Sequence, residues 1–295
     1  TLVEKYGQVK EFLGDGASGE VRLAHKADTK ELFVVKRYRS RKPLYYALHR
    51  YNLDYVWNEW AMSWNLNHHN ILRSLDLMRH SNNCLCLVME FCGAGSLYEY
   101  VFRDNPEKSP LVQDEPDCFF VQMMHGLRYL HGMGVTHGDM GLGNLLLNER
   151  GCIKICDFGL AKPCRKVRIT ENIHIVPAAA QLMPPQLLNC KQELFRLESI
   201  DIWAAGVLYV LMRTGDYLWK RPREDDKDYA RYLEERKMTA LLSWMYSLTD
   251  LRQRDCASVL NGMLDPDADQ RLIANEVLNS AWLMSVHVCL AGMGL

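Results

Sequence analysis

The chain has 295 residues, 48% of them hydrophobic and 24% charged, which is the composition of a folded globular protein rather than of a disordered segment. Its 35 basic and 36 acidic residues give a formal net charge of −1, and this balance excludes a strong long-range field for non-specific binding to nucleic acid or an anionic membrane. The longest nearly unbroken apolar stretch, residues 202–212, is about half the roughly 20 residues that a membrane-spanning helix needs, so it predicts a buried core helix.

Ten cysteines are scattered along the chain without the paired spacing of zinc sites. The closest spacings are Cys84 to Cys86 and Cys152 to Cys156, and neither is followed by a second pair. Residues 1–5 do not resemble a signal peptide, and the sequence does not begin with Met. We therefore expect reduced core thiols, a cytoplasmic location and a sequence excised from a longer protein.

The first third of the chain predicts a small sheet with one helix. Alternating β-type residues form three short runs, at 20–24, 32–38 and 85–89. A helical pattern covers 54–65, where Trp57, Trp60 and Trp64 recur at helical spacing. Such a stripe more often packs against a sheet than forms a docking surface, so we expect the three indoles to face the sheet.

Beyond residue 91 the pattern changes to helices, interrupted by a hairpin-like insertion at 144–156. Strands followed by helices predict an α+β, bilobal fold, with a small β-rich lobe at 1–91 and a larger, mostly helical lobe at 92–295. Two glycines interrupt the pattern at 93–95, where the lobes would join. Because ligands often bind between such lobes, we expect both halves to contribute to one site.

A glycine-rich loop of the pattern G-x-G-x-x-G-x-V lies near the start of the chain. Its defining residues are Gly14, Gly16, Gly19 and Val21. Glycines in such a loop let backbone amides approach phosphate oxygens that a Cβ would hold away. The pattern alone also fits a plain tight turn or a dinucleotide fingerprint, but the fingerprint needs a helix directly after the loop. A β-type run follows here instead.

The most specific motif combines residues 137–144 with a second acidic position 13 residues later. Asp139, Asn144 and Asp157 supply three hard oxygen ligands or acceptors, suited to magnesium and a substrate hydroxyl. Their order and spacing match the catalytic loop and the magnesium motif of protein kinases. Over about residues 12–282, the sequence resembles the catalytic domain of eukaryotic protein kinases.

This resemblance gives a role to two residues that are uninformative alone. Lys36 ends a strand-like segment and, by itself, also fits a surface lysine beside the basic run at 37–42. Glu59, nine residues before His68, looks like the helix glutamate that pairs with the strand lysine. The resemblance implies that Lys36 and Glu59 form the ion pair that positions the ATP phosphates.

The resemblance also implies where the adenine of ATP would bind. Residues 89–92 look like gatekeeper and hinge, so the ring would bond to the backbone of Glu90 and Cys92. The side chains that would surround the ring are Val21, Val34, Met89 and Leu146. Val34 replaces the usual small alanine, which narrows the nucleotide pocket slightly.

The implied activity is phosphoryl transfer from Mg-ATP to Ser/Thr hydroxyls of protein substrates. Gly14, Gly16 and Gly19 would cover the phosphates, and Lys36 would hold two of them. Asn144 and Asp157 would bind Mg²⁺, and Asp139 would orient the substrate hydroxyl or accept its proton. The catalytic residues implied by the resemblance are Asp139, Lys36, Glu59 and Asn144.

Within kinases, residues 201–237 resemble fungal Ser/Thr kinases of the halotolerance and nitrogen-permease-reactivator type. This resemblance implies ATP and protein substrates as partners and a cytoplasmic protein without an integral membrane segment. Nucleic acid is not expected as a partner, and membrane transporters are expected only as indirect targets.

Two departures from the kinase pattern concern regulation. Gly138 stands where most of these kinases have an arginine that receives an activation-loop phosphate. Thr170 carries the only hydroxyl group between Asp157 and Gln186. We therefore expect activation by loop phosphorylation to be absent or limited to one site.

Two further departures concern catalysis and bracing. Gly141 replaces the lysine that contacts the γ-phosphate, and Ala179 replaces the threonine that contacts that lysine. Gln186 stands where a glutamate would pair with Arg271, although its amide oxygen can still accept a hydrogen bond. Two hypotheses remain open: a Ser/Thr kinase of reduced activity, or a pseudokinase that binds ATP-Mg and acts as a scaffold or an allosteric signalling module.

Overall fold

The structure is a computed structural model, and it describes residues 1–15, 19–38, 51–80, 84–102, 111, 114–168, 179–189, 194–238, 253–290 and 292. The strands in these ranges are β1 Gln8–Asp15, β2 Gly19–His25, β3 Leu32–Tyr38, β4 Ser74–Arg79, β5 Leu85–Glu90, β6 Val135–Thr136, β7 Leu145–Leu147, β8 Ile153–Ile155, β9 Lys162–Pro163, β10 Lys166–Arg168 and β11 Leu194–Arg196. The α-helices are α1 Leu2–Tyr6, α2 Tyr51–Ser63, α3 Leu97–Phe102, α4 Glu115–Gly132, α5 Pro185–Asn189, α6 Ser199–Thr214, α7 Lys227–Met238, α8 Gln253–Met263, α9 Ala274–Leu278 and α10 Ala281–Met284. Short 3₁₀ helices cover Leu142–Asn144, Phe158–Leu160 and Ala180–Leu182.

The N-terminal part of the chain forms an antiparallel five-stranded sheet of order β1-β2-β3-β5-β4. Strands β2, β3 and β5 fall on the three predicted runs, whereas β1 and β4 lie outside them. Six of the eight β1 side chains are exposed, so this strand lacks the hydrophobic alternation that marks a half-buried strand. The register places Lys36 of β3 between Val21 of β2 and Leu87 of β5.

The part after β5 is mostly helical and packs around one large apolar cluster. Helix α6 lies at its centre and buries all residues from Ser199 to Met212, which confirms the predicted core helix at 202–212. Helix α4 packs against α6 and contributes a second row of buried side chains. Within the described ranges, no helix combines the length and hydrophobicity that a membrane span requires.

Two small antiparallel pairs hold the loop that follows α4. Strands β7 and β8 form the hairpin that was predicted at 144–156. Strand β6 pairs with β9, so the chain leaving β6 enters residues 137–144 from a fixed position. These pairings fix both ends of the predicted catalytic loop. The five-stranded sheet followed by a mostly helical part confirms the predicted α+β fold.

The expectation that the three indoles face the sheet is wrong for two of them, Trp57 on α2 and Trp64 directly after α2. Trp57 is 55% exposed and Trp64 is 53% exposed. Trp60 packs against a cluster that includes strand residues, and its ring stacks on Trp64 at a centroid distance of 6.2 Å. The face of α2 that is buried consists of Val56, Glu59 and Ser63. A polar glutamate and serine occupy this face, so hydrophobicity alone selected the wrong side of the helix.

Candidate active site

A buried ion pair joins the sheet to α2. The Nζ of Lys36 lies 2.8 Å and 3.0 Å from the two carboxylate oxygens of Glu59. Lys36 is 6% exposed and Glu59 is 1% exposed, and the hydroxyl of Tyr38 donates a further bond of 2.6 Å to Glu59. The structure therefore places together the two residues that the sequence predicted as a pair.

Burial and charge act in opposite directions on Lys36. Desolvation lowers the pKa of this ammonium, but the carboxylates of Glu59 and Asp157 outweigh it, so the pKa of Lys36 is raised above its ordinary value. The Nζ of Lys36 lies 3.2 Å from Oδ1 of Asp157. Lys36, the predicted phosphate ligand, therefore carries a positive charge and lies in contact with Asp157, the predicted magnesium ligand.

Asn58, next to Glu59 on α2, binds the chain segment that follows Asp157. Its Nδ2 lies 2.9 Å from the carbonyl oxygen of Ala161, 3.1 Å from that of Gly159 and 3.4 Å from that of Phe158. One amide therefore ties the helix that carries Glu59 to the turn that carries Asp157. The sequence analysis missed Asn58, and the one signal available was its position beside Glu59.

The predicted catalytic loop is anchored at its N-terminal end by Asp201 at the start of α6. Its carboxylate accepts bonds of 2.8 Å from the backbone N–H groups of His137 and Gly138. The same carboxylate lies 2.9 Å from Nε2 of His131 on α4. The ring of His137 is fully buried and lies 2.9 Å from the carbonyl oxygen of Cys156. The loop and the residue before Asp157 are therefore fixed to each other and to the core.

Asp139 and Asn144 meet above this anchor. The Nδ2 of Asn144 donates 2.8 Å to the carbonyl oxygen of Asp139 and 3.3 Å to its Oδ2. The backbone N–H of Cys156 donates to the carbonyl of Asn144 at 2.9 Å, which brings Asp157 beside this pair. The three oxygen-bearing residues predicted from spacing thus lie on connected backbone segments.

The residues predicted to surround adenine also come together. Val34, Met89, Cys92, Leu146 and Cys156 all belong to one apolar cluster. These side chains originate from β3, β5, the connection to α3, β7 and the residue before Asp157. Val21 is half-buried on β2, opposite Lys36 in the register. Apolar side chains from both parts of the chain therefore line the space beside Lys36.

Glu90 is held through its side chain as well as its backbone. Its Oε1 accepts 2.7 Å from the backbone N–H of Arg73 and 3.1 Å from the Nζ of Lys154 on β8. Its own N–H donates to the carbonyl of Arg73 at 3.1 Å. Among the described residues, the N–H of Cys92 has no backbone partner and is the donor that a ring acceptor could use.

The loop glycines serve different purposes. A Cβ added at Gly14 would meet no atom within 4 Å, so the protein leaves open space there. A Cβ at Gly19 would lie 2.2 Å from the carbonyl oxygen of Arg37, so the close approach of β2 to β3 itself requires glycine. Gly16 lies outside the described residues, and so does Thr170.

The backbone conformation explains one departure from the kinase pattern, Gly138, but not a second, Gly141. Gly138 has a φ of +78°, a left-handed conformation that glycine adopts without cost and that most side chains avoid. Gly141 is extended, with a φ of −164°, and a Cβ there would touch only Leu182 at 3.8 Å. Ala179 lies in the same neighbourhood, because its carbonyl accepts from the N–H of Leu182 at 3.0 Å.

Gln186 takes the place of a charged partner for Arg271. Its Oε1 accepts a 2.6 Å bond from Nη2 of Arg271, as predicted, and its Nε2 donates to the carbonyl of Pro266. Arg271 is 2% exposed, and burial lowers the pKa of its guanidinium to about 9. The cation lies 4.7 Å from the ring centroid of Trp203, which supplies an attraction that a carboxylate would otherwise give.

A large cavity lies outside the group of charged residues described above. It has a volume of about 900 Å³ and is lined by residues such as Gly95, Tyr98, Phe119 and Glu149. Lys36, Asp139 and Asp157 do not line it. Cavity volume therefore does not identify the cluster of Lys36, Asp139 and Asp157. We assign the candidate site by these charged groups instead.

Replacing Asn58 by Ala should weaken the link between α2 and the turn after Asp157. Losing a bond to buried carbonyl oxygens costs about 1–3 kcal/mol. We expect the KM for ATP-Mg to rise about 5- to 50-fold, because Glu59 and Asp157 are no longer held in register. The measurement is steady-state kinetics with ATP varied, and Asn65→Ala, an exposed position just beyond α2, is the control. An unchanged KM in Asn58→Ala would contradict this role.

Comparison with known proteins agrees with this geometry. The model of the protein kinase domain matches residues 7–283. The serine/threonine-protein kinase hal4 of Schizosaccharomyces pombe is 35% identical over 99% of this chain and 45% of its own length. The serine/threonine-protein kinase HAL4/SAT4 of Saccharomyces cerevisiae is 34% identical over 100% of this chain and 48% of its own. The probable serine/threonine-protein kinase RTK1 of Saccharomyces cerevisiae is 29% identical over 98% of this chain and 46% of its own.

The fold is a small antiparallel sheet followed by a mostly helical part, with the lysine, glutamate and aspartates assembled as described. The family match covers almost the whole chain. The chain belongs to the protein kinase family. The predicted similarity to fungal Ser/Thr kinases of the halotolerance type is confirmed. The chain spans about half the length of the curated relatives it matches.

Proposed function

We propose that this chain transfers the γ-phosphoryl group of Mg-ATP to Ser/Thr hydroxyls of protein substrates. The observation that carries the proposal is the contact of Lys36 with both Glu59 and Asp157, which joins the sheet, α2 and the loop after β8. Relatives with names of Ser/Thr kinases support the hydroxyl class. Positioning and electrostatic stabilisation account for most catalysis of phosphoryl transfer, and both need such an assembly.

In this proposal, ATP binds between the sheet and the helical part. The apolar cluster containing Val34 and Leu146 accepts the adenine, with Val21 and Met89 beside it, and the N–H of Cys92 and the carbonyl of Glu90 bond to its edge. Lys36 contacts the α- and β-phosphates. Gly14 leaves room for the loop backbone to approach the phosphates. We propose that the backbones of Gly16 and Gly19 also cover the phosphates, and Gly19 in addition permits the close approach of β2 to β3.

The donor set fits Mg²⁺. Asp157 offers a carboxylate, and the amide nitrogen of Asn144 is turned to Asp139, which leaves its Oδ1 as an acceptor for a cation. Carboxylate and amide oxygens are the hard ligands that Mg²⁺ prefers. A bound Mg²⁺ would neutralise charge on the phosphates, and Lys36 lies close enough to Asp157 to share that task.

Asp139 is proposed as the residue that orients the substrate hydroxyl and accepts its proton. The amide of Asn144 fixes the carboxylate through Oδ2, and Asp201 fixes the backbone on the N-terminal side. A carboxylate held in this way keeps its orientation while the proton moves. We also propose that the boundary between the two lobes lies at residues 91–92, directly after β5.

A cytoplasmic location is proposed as well. The nine described cysteines are all free thiols, and thiols stay reduced in the cytoplasm.

Nucleotide binding is tested by thermal unfolding with and without ATP and Mg²⁺. At a ligand concentration of 100 times Kd, binding stabilises the folded state by about 2.7 kcal/mol. We expect Tm to rise by roughly 5–10 °C, and the Asp157→Asn variant to show a much smaller rise. An unchanged Tm for the wild type at saturating ATP-Mg would contradict both the kinase and the ATP-binding scaffold.

A pseudokinase that binds ATP-Mg and acts as a scaffold is the second candidate. It is favoured by Gly141 and Ala179, which bring no polar group to the side of Asp139 where the γ-phosphate would lie. Because Gly141 is extended and its missing Cβ would touch only Leu182, a lysine fits there without backbone strain.

The variant Gly141→Lys separates the two candidates. A lysine at this position restores one contact to the charge that develops on the transferred phosphoryl group, which is worth about 10²–10³ in rate. Adding Ala179→Thr restores the contact of that lysine with a threonine as well. For a slow kinase, we expect phosphoryl transfer to increase 10-fold or more with little change in the Tm shift caused by ATP-Mg. Gly143→Lys, two residues along the same loop, is the control. No measurable transfer before or after the substitution would support the scaffold.

A further inference from the structure

Two thiols from distant parts of the chain meet on the surface of the helical part. Cys118 lies in the first turns of α4, and Cys289 follows α10 by five residues. Their sulfur atoms are 3.3 Å apart. Cys289 is exposed and Cys118 is half-buried, so solvent reaches one of the two sulfurs directly. This pair takes no part in the proposed kinase site.

We propose that Cys118 and Cys289 form a reversible disulfide when the protein meets a peroxide, and that this bond fastens residues 286–290 to α4. The inference goes beyond phosphoryl transfer and does not depend on it. In reducing compartments, disulfides of this kind are transient and report oxidation.

The segment that carries Cys289 is already docked beside α4 by packing. Val286 and Val288 are partly buried against the large apolar cluster to which α4 contributes. On the other side, Nε2 of Gln122 donates to the sulfur of Cys118 at 3.7 Å. A disulfide needs sulfur atoms about 2.0 Å apart. The segment must therefore shift by little more than 1 Å, and residues 286–290 have no helix or strand to disrupt.

Burial makes five of the other described thiols poor competitors. It raises the pKa of their sulfurs to about 11 or about 12, which keeps them as thiols rather than reactive thiolates. These cysteines are Cys86, Cys92, Cys152, Cys164 and Cys256. Burial also raises the pKa of Cys118, which assigns the first reaction to exposed Cys289.

The disulfide forms in two steps, oxidation of Cys289 and then attack by Cys118. The Cys289 thiol loses its proton, and the thiolate attacks one oxygen of hydrogen peroxide. The O–O bond breaks and the leaving hydroxide takes up that proton, so a sulfenic acid and one water form. The sulfur of Cys118 then attacks the sulfenyl sulfur, the S–S bond forms, and the hydroxyl group leaves with the Cys118 proton as a second water. Two thiols lose two electrons in total, and the peroxide is reduced to two waters. Two thiol groups of a small reductant return the disulfide to the Cys118 and Cys289 thiols by exchange through a mixed disulfide, and are themselves oxidised to a disulfide.

The test is peptide mapping of the full chain after hydrogen peroxide treatment and blocking of free thiols. We expect a cross-linked peptide pair containing Cys118 and Cys289 in the wild type, its disappearance after dithiothreitol, and its absence from Cys289→Ser and Cys118→Ala. The Cys84→Ser variant, which changes another partly exposed thiol, should form the pair as the wild type does.

Other outcomes would overturn the proposal. Recovery of Cys118 and Cys289 as separately blocked thiols would do so, as would dimers linked through Cys289 or irreversible oxidation of Cys289 without the pair. Because the readout is a covalent bond, it is obtained equally from an active kinase and from an inactive one. Since Cys289 is exposed, we expect Cys289→Ser to fold as the wild type does, and circular dichroism checks this.

Discussion

Replacing Asp139 by Asn should lower kcat for peptide phosphorylation by about 10²–10⁴, the range that a positioned general base supplies. The amide keeps the size of the carboxylate but cannot accept the substrate proton. Asn144 contacts Asp139 through a backbone carbonyl as well as Oδ2, so the loop keeps its shape in the variant. The KM for ATP should therefore change little, because the proposed role of Asp139 concerns the substrate hydroxyl and not the binding of the ATP phosphates.

The measurement is initial-rate kinetics with labelled ATP, Mg²⁺ and a Ser-containing peptide. Asp255→Asn is a matched control, since this aspartate is exposed in the first turn of α8. Equal rates for the wild type and Asp139→Asn would show that the observed transfer does not use this site.

Replacing Lys36 by Met should have the largest effect on stability and should also abolish efficient transfer. The substitution leaves the carboxyl group of Glu59, 1% exposed, without its cation. Breaking a buried pair by removing one partner costs about 3–5 kcal/mol. The expected fall in Tm is roughly 6–20 °C. Loss of a preorganised contact to the phosphates should lower kcat/KM for ATP at least about 10²-fold.

The stability loss of Lys36→Met should depend on pH in a defined direction. Burial raises the pKa of Glu59, and the charge of Lys36 is the main factor that opposes this rise. In the variant, the folded-state pKa therefore lies above the unfolded value, so the protonated carboxyl is favoured by folding. The deficit in Tm relative to the wild type should be small near pH 5 and larger near pH 8.

A double variant separates the two roles of Lys36. Lys36→Met combined with Glu59→Gln removes both charges, and the Gln side chain still accepts from Tyr38. We expect it to recover most of the lost stability and none of the lost activity. Lys10→Met, an exposed lysine of β1, is the control and should alter neither. Full activity in Lys36→Met would contradict the proposed phosphate contact.

The site residues that sequence could predict are those fixed by spacing within a motif. Asp139, Asn144 and Asp157 could be assigned because their separations along the chain are short and specific. The match of Lys36 to Glu59 depended on motif order across 23 positions, and the structure places the two in contact. The glycine loop was predicted from its pattern, although Gly19 proved to be required by the approach of β2 to β3.

The residues that sequence reasoning missed act through tertiary contacts. Asn58 reaches three carbonyls that lie 100–103 positions away. Tyr38 reaches Glu59 only because β3 packs under α2. The anchor of the catalytic loop at Asp201 and His131 depends on the crossing of α4 and α6. No periodicity marks such side chains, because each has its partner fixed by packing rather than by local spacing.

The fold was predicted more completely than its faces. Strands with apolar alternation were found, whereas the exposed β1 was not, because it carries no alternating pattern. For α2, the indoles suggested a buried stripe, but the ion pair of Glu59 with Lys36 turns a different face toward the sheet. A buried ion pair, rather than the stripe of indoles, therefore sets which face of the helix is turned to the sheet.

Phosphopeptide mass spectrometry tests whether the assembled residues transfer phosphate to Ser/Thr hydroxyls. The wild type and Asp139→Asn are incubated with ATP, Mg²⁺ and a pooled library of Ser, Thr and Tyr peptides. We expect the wild type to form new phosphopeptides from the Ser and Thr peptides, and Asp139→Asn to form at least about 10²-fold less of them. No phosphopeptide above background with the wild type, while ATP-Mg still raises its Tm, would contradict it.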